Sequence, residues 1–384
     1  MPTQDAPLLA TAVFVLFLAA ATDSMAVEAK AQPWSSATQM AEAAQALIAT
    51  LEPARREQVV FPMDAATRSN WSNLPTVMVE PPGLMIGAMS DAQRQATHDL
   101  LRASLSSQGY AKVTSVMRLE DLLREIDAAE LAGQPENEET QLRRAFIQTY
   151  DYGNYAVALF GEPGSEQWGW KLAGHHAAAN FTVSNDRVAF TPTFLGSAPM
   201  VVQEGRFAGL MALPHEGGRG IDLMRSLTAA QQQIARVAPE VAPDVFEGAG
   251  RKASLQQYEG IKASEFSADQ MRLLQALVEE YVGNAEFDAA EAQLEAIRQA
   301  GWGELRFSWR GPVDPVGRFY YRVHGPRLLI EYNRQDANHD HTVMRDPQND
   351  YGEDWLGRHI EEHHPSMEEA MENARRRASA VQPE

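Results

Sequence analysis

Hydrophobic periodicity changes along this chain, and that change limits the folds open to it. Residues 40–51 are Ala-rich, with apolar residues at helical spacing. Ser90, followed by Asp91 and Gln93, predicts an N-cap. The helix behind it runs to about Ser107, with Ala96, Leu100, Leu101 and Leu105 on one face. Residues 119–131 read as a further amphipathic helix. The period then switches. Residues 155–160 (YAVALF) form a strand candidate, and residues 168–194 read as two strands joined at Ser184-Asn185-Asp186. Residues 217–237 and 267–300 return to helical spacing, the latter broken at Asn284. Three strand candidates follow, at 304–310, 318–324 and 327–332, and the tight Gly325-Pro326 turn predicts an antiparallel meander. A helical tail at 354–380 breaks at Pro365. Helices and strands are segregated rather than alternating. The expected class is α+β, with a helical N-terminal third, antiparallel sheet from the middle and C-terminal segments, and flanking helices.

Composition narrows function by exclusion. Across 384 residues the formal charge is −19. Nucleic acid is therefore not an expected partner, because its phosphates need Lys and Arg to release counterions. An anionic membrane surface is disfavoured for the same reason. No Cys is present, which removes thiol nucleophiles, iron–sulfur clusters, cysteine zinc sites and disulfides. Residues 8–21 form a largely apolar run, too short to span a bilayer but suited to the h-region of a signal peptide. Small residues follow at Ser24-Met25-Ala26 and Ala29-Lys30-Ala31, although the preceding MPTQDAP lacks Lys and Arg. The reading is a signal peptide over residues 1–31, export to the periplasm or medium, and no stable membrane insertion after cleavage. Losing three acids and Lys30 leaves a charge of −17, so the acidity belongs to the remaining chain.

The histidines are not scattered. Six of the ten fall between His324 and His364. His175-His176 forms a separate pair in Gly174-His175-His176-Ala177-Ala178-Ala179-Asn180. If this lies on a strand, His176, Ala178 and Asn180 share one face and His175 takes the other. Asn338-His339-Asp340-His341 is a His-x-His on an extended segment, which points two imidazoles the same way. Such a pair suits zinc, manganese, iron or copper. His359-Ile360-Glu361-Glu362-His363 places His359 and His363 one helical turn apart and satisfies H-x-x-E-H. A folded site combines His176, His339, His341 and one of His359 or His363, with His175 as ligand or support. His215-Glu216, in a Pro-Gly loop, offers a carboxylate. His98 reads as solvated. Trp168, Trp170 and Trp309 are either core or the lining of an aromatic cleft. Neither a G-x-S-x-G elbow nor a G-x-G-x-x-G or G-x-x-x-x-G-K-[ST] loop occurs.

A set of motifs resembles a family with no assigned activity, domain-of-unknown-function family 3500, whose members are mostly exported bacterial and fungal proteins. The residues that carry the resemblance are Arg68–Trp71 with Leu74-Pro75, Trp168-Gly169-Trp170, Gly174-His175-His176, Asn180-Phe181, and Pro192-Thr193-Phe194-Leu195-Gly196. They continue in Tyr320-Tyr321-Arg322, Glu331-Tyr332, Asn338-His339-Asp340-His341, Arg345-Asp346-Pro347 and Asn349-Asp350-Tyr351-Gly352. The resemblance implies one unit over residues 41–364 within a single domain at 32–384. It also implies that the H-x-x-E-H string lies outside the family pattern.

The leading functional expectation is an exported hydrolase that uses a transition metal, zinc first, with copper, iron or manganese open. Its substrate is a small or oligomeric molecule. His175, His176, His339, His341, His359 and His363 are the candidate ligands. Glu216 or Asp346 is the candidate base, and Arg345 the group that holds developing negative charge. Three other readings fit the same residues: a copper or iron oxidoreductase, a metal- or sugar-binding protein, and a metal-free acid–base or hydrogen-bonding role for the histidines.

Overall fold

A computed structural model describes residues 35–252, 254–255 and 257–355. The expected signal segment, His359, His363 and most of the expected C-terminal helix lie outside them. Among the described residues the helices are α1 (Ser36–Ala49), α2 (Pro53–Val59), α3 (Asp91–Ser104), α4 (Ser107–Leu131), α5 (Glu138–Ile147), α6 (Glu216–Ser226), α7 (Ala229–Ala235), α8 (Ala268–Val282) and α9 (Phe287–Ala300). The strands are β1 (Val60–Phe61), β2 (Leu84–Met85), β3 (Tyr155–Phe160), β4 (Gln167–Gly174), β5 (Ala177–Ser184), β6 (Arg187–Ala189), β7 (Thr193–Ser197), β8 (Arg236–Ala238), β9 (Ile261–Lys262), β10 (Arg306–Arg310), β11 (Phe319–Gly325), β12 (Leu328–Asp336) and β13 (His339–Arg345).

The α+β expectation holds, and local chemistry explains most element ends. Ser90 and Gln93 close a capping box on α3, with Gln93 N–H donating to Ser90 Oγ and Ser90 N–H to Gln93 Oε1. That helix stops at Ser104 instead of 107. Ser106 then caps α4, which starts twelve residues before the expected Leu119. The break predicted at Asn284 separates α8 from α9.

All thirteen strands join one sheet, whose main path is β1-β3-β4-β5-β7-β13-β12-β11-β10-β8. The pairings β3-β4-β5-β7-β13-β12-β11-β10 are antiparallel, and the last four strands include the predicted meander. Parallel pairs occur at the two ends, β1 with β3 and β8 with β10.

Side chains alternate across this sheet, and the two faces differ in chemistry. One face presents Leu159, Trp170, Leu172, Phe181, Leu195, Tyr332, Tyr321 and Trp309. These pack with Met40 and Leu47 of α1, Leu100 of α3, Val116 of α4, Leu223 of α6 and Leu277 of α8 in one apolar core. Trp168, Trp170 and Trp309 are fully buried there, so the core reading of the tryptophans is the one the structure takes. The opposite face presents Lys171, Asn180, His341, Asn333, Glu331, Arg322, His324 and Arg345, all buried. Irregular chain covers it. Lys171 Nζ donates to the Thr67 and Asn70 carbonyls. Glu331 accepts from the Phe246 and Glu247 N–H groups. A small apolar cluster including Trp71, Phe194, Val343 and Tyr351 fills the gaps.

Candidate functional site

The histidine pair sits at a turn, not on a strand. Gly174 pairs with Ala177, so His175 and His176 are the two connecting residues of the β4–β5 hairpin. His176 has φ of 60°, in the left-handed region that non-glycine residues seldom occupy. This corrects the alternation expected for His176, Ala178 and Asn180. No Gly, Asn or Pro marks the two turn positions, so sequence punctuation missed them. The turn is held by neighbours: Tyr155 Oη donates to the His175 carbonyl at 2.6 Å, and Gly196 N–H donates to the His176 carbonyl at 2.7 Å.

His339 and His341 leave the same face of β13, as the His-x-His spacing predicted. β13 lies beside β7, with His341 opposite Gly196, and β7 lies beside β5. The register therefore brings the turn and the strand together. His339 Nε2 is 2.9 Å from both His176 Nε2 and His341 Nε2. The ring planes cross at 73°, 62° and 90°, so the three nitrogens converge edge-on. Gly196 makes room for this. A Cβ there would lie 2.7 Å from His176 Cδ2 and 3.1 Å from His341 Cδ2.

A carboxylate stands behind the cluster. His341 Nδ1 is 2.8 Å from Asp244 Oδ1, and the Gln335 side-chain amide is 2.9 Å from the same nitrogen. A carboxylate only accepts, so the Asp244 contact calls for the proton on Nδ1, a tautomer to which Gln335 Nε2 cannot donate and which leaves the Nε2 lone pair facing the other rings. Burial pushes the Asp244 carboxyl up. The His341 hydrogen bond and charge, the Val245 N–H and Arg251 outweigh it and leave Asp244 below its ordinary value. Burial, then the neighbouring imidazoles, hold His176 well below the ordinary histidine value. Burial, then His341, lower His339 to about 4. His176 and His339 therefore favour the neutral form that a metal needs. His176 and His341 are buried, and His339 is partly open.

His175 takes a different place. Its Nδ1 is 2.8 Å from Glu120 Oε1 on α4, and Tyr150 stacks on its ring. The His175 and His176 rings stack at 3.7 Å with 25° between planes. Imidazole lone pairs lie in the ring plane, so two stacked rings do not converge on one ion. This separates His175 from the ligand set, although Glu120, His175 and His176 lie close together. Glu120 is raised by burial, which exceeds the lowering from His175.

The expected acid–base residues fall elsewhere. Glu216 is the first residue of α6, buried, with Oε1 2.7 Å from Lys112 Nζ. Its carbonyl accepts from Tyr321 Oη on the apolar-core face, opposite the histidines. Asp346 is fully buried and clamped by Arg327 at 2.8 Å. Arg345 shares the histidine face but lies four residues beyond His341, roughly 13 Å along the strand. Its Nη1 pairs with Asp350, while Nε and Nη2 donate to the Glu247 and Gly248 carbonyls. In this structure all three are held by ion pairs or hydrogen bonds away from the three histidines. His98 is not simply solvated either, since Tyr110 and Tyr152 hydroxyls each lie 3.0 Å from a ring nitrogen.

Sequence reasoning passed over Asp244 and Glu120. Asp244 follows Pro243 in an irregular stretch, and such a turn acid is ordinary. Glu120 is one acid among many on an amphipathic helix. Only the fold links either to a histidine.

No curated protein and no solved structure matches this chain. Several of the motifs that carried the resemblance in the sequence meet around the polar face: Arg68 donates to Thr182 Oγ1, Trp71 packs on Phe194, Phe194 packs edge-on against His341, and Arg345 pairs with Asp350. The family model described as "Protein of unknown function (DUF3500)" matches residues 34–353, and the chain belongs to that family.

Proposed function

We propose that this chain is an exported metal-dependent hydrolase whose ion is held by His176, His339 and His341. The observation that carries the reading is the convergence of three Nε2 atoms, with Asp244 fixing the tautomer of one. Three protein ligands with a further position free is the pattern of catalytic zinc. A metal there supplies Lewis acidity and a bound water that ionises near neutral pH. The partly open His339 side is where a substrate would approach. Glu216 and Asp346 are held in ion pairs away from the three histidines, and Asp244 is the carboxylate that supports the centre through His341 Nδ1. It is the partly exposed carboxylate bonded to a site histidine, and its Oδ2 is free of the His341 contact. Arg251, half exposed and 3.7 Å from Asp244 Oδ2, takes the charge-holding role first assigned to Arg345. The apolar N-terminal run and the Cys-free composition support export.

The test uses native protein with its bound metal identified by elemental analysis, assayed against ester, amide and phosphoester panels. The expected result is colourless zinc-bearing protein that hydrolyses one class, loses turnover to chelator and regains it with zinc. A copper-bearing protein with a visible absorption band and no hydrolysis would overturn the hydrolytic reading in favour of redox chemistry.

A further inference from the structure

The polar face carries a second cluster that the histidine centre does not use. Arg322 on β11 is 1% exposed. Its Nη2 donates to Glu259 Oε2 at 2.8 Å, but its Nε and Nη1 meet no acceptor. Ser308 lies directly opposite on β10, and its hydroxyl is also buried without a partner. The Arg310 Nε and the His324 Nδ1 are in the same condition. His324 sits two residues along β11 from Arg322, on the same face, and is itself 6% exposed. Buried polar groups are nearly always hydrogen-bonded. Unmet donors concentrated on two neighbouring strands therefore call for an acceptor-rich ligand.

The surrounding acids do not meet that need. Glu331 accepts from the Phe246 N–H, the Glu247 N–H and Tyr320 Oη. Glu259 is shared between Arg322 and Arg310, the latter at 3.4 Å. Asp350 is paired with Arg345. Glu247 Oε1 accepts from Ser254 and from the Leu255 N–H. Acceptors are short here, although acids and bases are close to balanced. A cleft of about 240 Å³ reaches this cluster at His324, with Tyr258, Lys252, Arg345, Glu247 and Asp350 in its wall, and Arg322 lies one same-face step along β11 beyond His324 without lining it. Tyr258 is half exposed and packs edge-on against His324 at 4.4 Å.

We propose that this cleft is a binding site for a small oxyanion, a carboxylate or a phosphate, whose oxygens accept from Arg322 and His324. A guanidinium suits such oxygens by geometry and charge. Burial, then Arg322, lower His324 to about 4, so the ring enters as a neutral donor while Arg322 and Arg310 supply the charge. The site is separate from the metal reading and stands or falls without it.

The test measures thermal melting and calorimetric binding on the full chain, with inorganic phosphate, acetate and a four-carbon dicarboxylate. Sodium chloride at equal ionic strength is the control, and metal content is recorded throughout. The expected result is a saturable rise in Tm with phosphate or with a carboxylate, beyond that of chloride. Binding should weaken about tenfold or more in Arg322→Gln and in His324→Gln, with metal content unchanged. Tyr258→Ala, at the half-exposed mouth, should weaken binding without endangering the fold if Arg322→Gln does not fold. A Tm that follows ionic strength alone, or unchanged affinity in His324→Gln and Tyr258→Ala, would overturn the proposal.

Discussion

The two faces of the sheet are built from the same strands and solve different problems. One face buries Trp, Tyr, Phe and Leu under helices, and its stability comes from removing apolar area from water. The other buries Lys, Arg, His, Glu and Asn under irregular chain, where each group needs a partner. Lys171, Glu331 and Arg345 find theirs in backbone atoms of the covering segments. The three histidines find one another, Asp244 and the Gln335 amide. The difference teaches that the polar face depends on partners brought to each group from distant segments, while the apolar face holds the strands in register so that those groups meet.

Variants can break this division. The largest effect is expected from His339→Ala or His341→Ala. Metal content should fall from about one equivalent to under roughly a tenth, with the fold retained. Elemental analysis beside circular dichroism measures both, and full metal retention would break the assignment. Trp170→Ala on the other face should do the reverse. Deleting a fully buried aromatic typically costs about 3–5 kcal/mol, read by denaturant unfolding, and the metal ratio of the folded fraction should not change. A smaller effect is expected from Asp244→Asn. The amide preserves shape but no longer fixes the His341 tautomer, and metal affinity should drop roughly 10–100-fold by competition with a chelator of known affinity. Loss of stability without loss of affinity would make Asp244 merely structural.

The smallest effect is one of pH. His339 titrates near 4 instead of near its ordinary 6.5, so protons do not compete for it across the window between. The His339 ring, followed by its own resonances in the metal-free protein, should stay neutral from pH 7 down to about 5 and protonate only as pH approaches 4. The metal-free protein should lose stability on acidification through the same window, because the unfolded chain takes up protons that the folded ring refuses. A His339 ring that takes up its proton near pH 6.5 would contradict the burial that sets this value.

Legibility differed between the two faces for physical reasons. Helix periods, the Ser90 cap and the meander were readable because each rests on local spacing. The His-x-His pair was readable because strand alternation alone points His339 and His341 the same way. The β4–β5 turn was not, since His175 and His176 occupy it without Gly, Asn or Pro, supported by Tyr155 and Gly196 from other elements. Glu216 and Asp346 looked available because a sequence shows carboxylates but not Lys112 and Arg327, which neutralise them. Asp244 is invisible for the opposite reason: its partner His341 is 97 residues away.

The most direct test of the central claim is diffraction from crystals of the natively expressed protein, collected at the absorption edge of the metal that elemental analysis finds. The account predicts one anomalous peak about 2.1 Å from the Nε2 atoms of His176, His339 and His341, with Asp244 still on His341 Nδ1. A peak between His175 and Glu120 instead, or no peak with the three rings joined only by hydrogen bonds, would contradict it.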